Sequence, residues 1–271
     1  MQDLDRLRAL GDPDRAARAS ARHKSGRETL GVPPAQIEAL AAEWRAGLDI
    51  EPRVALARAL WDSDIHEARL AAARLLVQAR MRPDDGAWAA MLDWAPQIDG
   101  QEIGDGVMSA ASRRLVAQPD RLDRIAPWAT SRNPWLRRGL LVATAPWAKM
   151  NAPKPQDLEI REDVLAWALT LSTDRNGAVR QAAMAWVRDL SKHDPARVAL
   201  WQQAQEERVA ARAEARAAGV VEPDEIDDPD EDDRLADADL GAGIAPEPDP
   251  APDMDAAPED EDDTPAPDQE R

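Results

Sequence analysis

The side chains in this chain whose types could carry chemistry are one carboxylate, a set of arginines and the tryptophans. Asp105 stands between Gly104 and Gly106, inside a stretch whose apolar residues recur at helical spacing. A glycine costs a helix interior about 1 kcal/mol against alanine. A pair there has two readings: something bulky approaches the backbone beside the carboxylate, or Asp105 faces solvent in a poorly capped helix start. Arg138 shares a helix face with Trp135, Leu141 and Val142, which follow at steps of three and four. A guanidinium on a partly apolar face needs an anion, because leaving it unpaired is costly. That anion is either a carboxylate of the next hairpin or a phosphate of a bound partner. Trp186, six residues after Arg180, reads on its own as a core residue. His23, His66 and His193 are scattered, with no carboxylate at metal-ligand spacing. No glycine-rich phosphate loop follows a strand and no G-x-S-x-G is present. Neither a metal nor a nucleotide cofactor is expected.

Asp105 must be positioned by a helix running over about 100–117. Asp99 and Glu102 have the spacing of a capping box at its start. Ile103, Val107, Ala110, Ala111 and Leu115 should face a core, with Gln101, Asp105, Ser109 and Ser112 on the opposite stripe. Beyond it the chain predicts helices over 35–47, 51–61, 64–80, 85–95, 120–129, 134–144, 156–172, 177–191 and 195–217, with almost no strand signal. Asn133 before Pro134 marks one start, since proline at the first helical position loses no hydrogen bond. The helices repeat. HEARLAAARLL, IGDGVMSAASR, WLRRGLLVATA and AVRQAAMAWVR align so that Arg69, Asp105, Arg138 and Arg180 fall at one position, 36, 33 and 42 residues apart. Such periods suit stacked helical hairpins of the HEAT or armadillo kind. The expected architecture is all-α, an α-solenoid whose second helices line a concave face, with these four side chains in a row.

The 271 residues contain no cysteine, which fits a reducing compartment. The charged N-terminus and the lack of a long apolar run predict a soluble, cytoplasmic protein without a membrane span. Tyr and Phe are both absent, so ten Trp carry every aromatic task. The net charge of −18 is unevenly spread: residues 221–271 hold 22 acidic residues and 2 Arg, leaving the rest of the chain at +2. Nucleic acid therefore stays open as a partner. A basic run, Arg15, Arg18, Arg22, His23, Lys24 and Arg27, precedes the Leu30-Gly31-Val32-Pro33-Pro34 break. It reads as a solvated face or as a phosphate-contacting arm. The expected division is a helical-repeat domain over 1–217, with its basic arm at about 15–30, and a disordered acidic Pro/Asp-rich tail over 218–271. The tail's charge serves solvation or competes with DNA for a basic face.

Five segments in order, LGV (30–32), ALWDSDIHEAR (59–69), IDGQEIGD (98–105), PWATSRNPWLRR (127–138) and AMAWVRDLSKHDP (183–195), resemble the AlkD-like DNA alkylation-repair glycosylases. The resemblance runs from about Ala21 to Gln205 and leaves out the tail. It implies HEAT-like repeats and hydrolytic, metal-independent excision of N3- or N7-alkylated purines from double-stranded DNA by a monomer. It carries the family's catalytic aspartate onto Asp105, its arginine onto Arg138 and an active-site tryptophan onto Trp186. A second family tryptophan, four residues before the aspartate, falls on Gln101, which is a departure. The implied lesion- and DNA-binding set is Arg138, Trp186, Trp135, Gln101, Arg137, Arg180, Arg69 and Lys24. The alternatives are a non-catalytic DNA-binding helical repeat, which Gln101 favours, and a protein-binding scaffold.

Overall fold

The structure, a computed structural model, describes residues 2–23 and 26–218, without the side chains of residues 22 and 23. Lys24 and the tail beyond 218 lie outside the described residues, as does the question of the tail's order. Among the described residues the chain is all-α. In order come α1 (Gln2–Arg8), α2 (Pro13–His23), α3 (Pro34–Gly47), α4 (Ile50–Asp62), α5 (His66–Leu76), α6 (Asp85–Trp94), α7 (Gln101–Ala117), α8 (Leu122–Ile125), α9 (Pro134–Ala143), α10 (Ala145–Lys149), α11 (Pro155–Leu171), α12 (Gly177–Leu190) and α13 (Pro195–Ala217). No described helix is long and apolar enough to cross a membrane.

The predicted helices are present, with local differences. The helix expected over 64–80 ends at Leu76. The one expected over 120–129 breaks into 3₁₀ turns at Pro119–Arg121 and Ala126–Thr130 around the single turn of α8. Pro119 and Pro127 lack the N–H that a continuous ladder needs. Short α10, opened by Ala145-Pro146, occupies what reads in the sequence as a connection.

Helices α5, α7, α9 and α12 pack side by side in chain order, with α4 and α6 against the first two and α10, α11 and α13 against the last. Hydrogen bonds between groups roughly one repeat apart tie the hairpins together. Trp61 Nε1 donates to Gln97 at 3.0 Å, Asn133 Nδ2 to the Ile98 carbonyl at 2.8 Å, and Trp201 Nε1 to the Leu165 carbonyl at 3.0 Å. Buried arginines do the same. Arg121 grips Asp84 with two 2.8 Å bonds, both side chains 8% exposed. The apolar core runs through all these helices, and seven of the ten tryptophans are buried in it. At 25 cal/mol per Å², burying each such ring contributes roughly 4–6 kcal/mol before ordering entropy.

The N-terminal arm is fixed to this stack by Gly31. Its φ of +75° suits glycine, and a Cβ there would lie 2.2 Å from the Asp12 carbonyl. Its N–H and that of Leu30 both donate to the Glu67 carboxylate, at 2.6 and 2.8 Å.

Candidate active site

The expected capping box does not form at the start of α7. Its N-cap is Gly100, with no side-chain cap. The Asp99 carboxylate is taken instead by Arg27, in a two-bond grip at 3.0 and 2.9 Å, while Arg27 Nε donates to Asp64 at 2.7 Å. Burial disfavours the Arg27 charge, but the bonds to Asp99 and Asp64 outweigh it and raise the pKa above the ordinary arginine value. Asp64, bonded to Arg27, is correspondingly held below the usual carboxylate range. Glu102 lies 3.2 Å from His66 Nε2.

Asp105 sits one turn into α7, and its carboxylate receives both arms of Arg138: Nε to Oδ1 at 2.9 Å and Nη2 to Oδ2 at 2.6 Å. The third guanidinium nitrogen donates to the Ala178 carbonyl at the start of α12, at 2.9 Å. Arg138 thus joins three successive helices of the row. Its anion is a carboxylate, as one of the two readings had it, but from the preceding hairpin. The carboxylate is the more exposed partner, 30% against 12% for the guanidinium, so solvent meets Asp105 first. Each carboxylate oxygen retains a lone pair beyond the one the arginine uses, so a water or a substrate atom can still be engaged.

Of the two glycines flanking Asp105, Gly104 has a steric reason within the protein. A Cβ on Gly106 would meet the Ala73 Cβ of α5 at 3.4 Å, and one on Gly104 would meet Ile98 at 3.1 Å. The tight contact at Gly104 is with the turn that leads into α7, whereas the one at Gly106 is an ordinary van der Waals contact. On the far side, a Cβ on Gly139 would meet the buried Met108 side chain at 3.0 Å, so α9 lies equally close to α7. That approach sets the reach between Arg138 and Asp105. On the stripe containing Asp105, Gln101 and Ser109 are half-buried as well, but Ser112 is buried.

Aligning the four helices on their N-caps, Ile65, Gly100, Asn133 and Asn176, corrects the register of the row. Asp105 and Arg138 do fall at one position, the fifth after the cap. Arg69 and Arg180 fall one residue earlier, in line with Gly104 and Arg137. The hydrogen bonds agree. Arg137 Nη1 donates to the Ser131 and Arg132 carbonyls, and Arg180 Nη1 to those of Asp174 and Arg175, the matching residues of the next repeat. Arg137 also holds Asp174 at 2.7 and 2.8 Å. Arg69 stacks 4.5 Å above Trp61 and pairs with Asp64 at 2.8 Å. Burial, with Arg27 nearby, lowers its pKa from the ordinary value.

These contacts change the roles expected of several residues. Arg137 and Arg69 are buried and bound to carboxylates of this chain, and they reach the next repeat at Asp174 and Gln97, so they act as braces and neither is presented to a phosphate. Arg180 spends two bonds on its own entry loop. Trp186 is 3% exposed with its N–H donated to the Thr144 carbonyl at 3.1 Å, so it belongs to the core and offers no face to a nucleotide. Trp135 and Gln101 are half-buried beside Asp105 and Arg138 in the sequence of their helices, and Trp128 is half-buried on the turn that packs against α9. A cleft of about 440 Å³ opens elsewhere, lined by Arg15, Arg18, His66, Glu67 and Glu102 among others, and Asp105 is not on its wall.

An arginine-clamped carboxylate on the surface of an all-helical stack is compatible with several activities, and comparison with known proteins supplies the class. The family of DNA alkylation repair enzymes matches residues 4–219, and the chain belongs to that family. In fold it is similar to a predicted DNA alkylation repair enzyme from Enterococcus faecalis, at TM-score 0.58 and 18% identity over 72% of this chain and 89% of that one. A second similar structure is smu.31 from Streptococcus mutans UA159, at TM-score 0.49 and 20% identity over 62% of this chain and 82% of that one. None of the curated proteins matches the chain.

Proposed function

We propose that this chain is a DNA N-glycosylase that excises N3- or N7-alkylated purines from double-stranded DNA. The observation that carries the reading is the Asp105 carboxylate, fixed by two bonds from Arg138 and yet the exposed member of the pair. Alkylation at N3 or N7 makes the purine cationic, so the departing base needs no proton from an acid. Breaking the glycosidic bond leaves positive charge on the sugar, as in glycoside cleavage. A preoriented carboxylate stabilises that charge without reorganising, and its free lone pairs can orient the water that attacks the anomeric carbon. Arg138, with all its nitrogens engaged inside the protein, acts as a positioning residue for Asp105. Trp135, half-exposed one turn before Arg138, is the aromatic face best placed in its helix to meet a cationic base. The protein works as a monomer in the cytoplasm, through the helical-repeat body of residues 1–217 and without a metal.

Gln101 supports a second reading, a DNA-binding member of the family without chemistry, because an aromatic wall is missing one turn before Asp105. Release of 7-methylguanine from a duplex separates the two. The glycosylase reading predicts time-dependent base release by the wild-type chain; salt-sensitive duplex binding with no release would favour the second.

A further inference from the structure

The residue immediately before the N-cap is Asp64, Asp99, Arg132 and Arg175 in the four successive helices α5, α7, α9 and α12. This position changes sign halfway along the row. Both acids are paired inside the protein, since Arg27 bonds Asp64 and Asp99 together and Arg69 pairs with Asp64 as well. Both arginines are exposed, and among the described residues neither side chain has a carboxylate partner.

The loops that carry them are held firmly and held together. Asn133 and Asn176 cap their helices by accepting from the Trp135 and Val179 N–H groups. Asn133 Nδ2 reaches back to the Ile98 carbonyl, beside the entry to the Asp105 helix. The single guanidinium of Arg137 bridges the two loops, donating to the Arg132 carbonyl at 3.3 Å and to Asp174, the neighbour of Arg175, at 2.7 and 2.8 Å. Two exposed cations on rigid, cross-braced loops, one repeat apart and downstream of Asp105, are positioned without further ordering cost to the backbone.

We infer that Arg132 and Arg175 bind phosphates of the DNA backbone, anchoring the strand on the α9–α12 side of Asp105, while the same position on the α5–α7 side, its acids neutralised by Arg27 and Arg69, makes no equivalent contact. The inference rests on the proposed DNA substrate. A planar guanidinium suits a phosphate through two parallel bonds, and each phosphate neutralised releases counterions, which makes binding salt-dependent. Within the basic arm predicted from the sequence, Arg27 is spent on Asp64 and Asp99.

The test is the salt dependence of binding to an undamaged duplex oligonucleotide by the full chain, with 7-methylguanine release measured in parallel. The double variant Arg132→Ala/Arg175→Ala should bind roughly tenfold or more weakly near physiological salt, with the slope of log K against log salt shallower by about 0.9 per lost phosphate. The double lysine variant should keep most of that slope, and Arg188→Ala, an exposed arginine of the last turn of α12, should leave it unchanged. Circular dichroism confirms that each variant is folded. An unchanged slope in the double alanine variant overturns the inference. Wild-type binding that is indifferent to salt overturns it together with the DNA substrate. A wild type that shows the expected slopes but releases no base supports the anchoring and overturns only the glycosylase reading.

Discussion

Arg137 and Arg138 are neighbours in one helix, and each grips an aspartate of an adjacent repeat through Nε and Nη2. The Arg137–Asp174 pair has side chains 8% and 10% exposed, whereas in the Arg138–Asp105 pair the carboxylate is 30% exposed. Consecutive residues of a helix point about 100° apart, so the same bond pattern is turned once into the seam between hairpins and once toward their surface. The difference teaches that geometry alone does not mark a functional ion pair. A buried pair can only brace the fold, while a half-exposed one can offer its carboxylate to a substrate and keep its orientation.

The comparison breaks most severely at Arg137. Arg137→Ala leaves Asp174 buried without its partner and frees the Ser131 and Arg132 carbonyls, and should cost about 3–5 kcal/mol in urea unfolding. Equal losses from Arg137→Ala and Arg138→Ala would erase the distinction between the two pairs. A smaller effect is expected at Gly139, which lets α9 approach Met108. Gly139→Ala should cost about 1–3 kcal/mol through overpacking and slow base release several-fold by moving Arg138 away from Asp105. Gly106→Ala, whose nearest contact is an ordinary 3.4 Å, should be close to neutral. The smallest effect concerns pH. Asp84, held by Arg121 and set below the usual carboxylate range, contributes stability at neutral pH. The unfolded chain takes up the proton first, near the ordinary value of about 3.9, so this contribution is lost as pH falls from there through the folded-state value. Unfolding measured at pH 5 and pH 3 should show less acid sensitivity in Asp84→Asn than in the wild type.

Much of this was legible in the sequence. Apolar residues at helical spacing located the helices, and the repeat put Asp105 and Arg138 at one position. The register of Arg69 slipped by a residue because Ile65 is not a residue that announces an N-cap, and that of Arg180 because matching small and aliphatic residues ignores the caps. Asn133 and Asn176 do announce one, and alignment on that pair brings Arg137 level with Arg180. Asp99 carried the local signal of a cap, but Arg27, 72 residues away, outbids it with a charge-assisted two-bond contact. No local pattern contains that competition. Trp186 had the spacing of a site residue and the burial of a core residue, and only packing separates the two. Arg132 and Arg175 were visible as residues but not as a pair, since their significance lies in the acids that hold the same place in the preceding repeats.

The most direct measurement sets Asp105→Asn beside Asp174→Asn, recording 7-methylguanine release and melting temperature for both and for the wild type. Each substitution keeps the side chain's shape and removes its charge. Asp105→Asn is expected to lose release by about 10²–10³-fold, the scale of one preorganised electrostatic contact, with little change in melting. Asp174→Asn should keep release and melt on the order of 5–10 °C lower. Undiminished release in Asp105→Asn would contradict the account, because the exposed carboxylate would then be a brace like its buried neighbour.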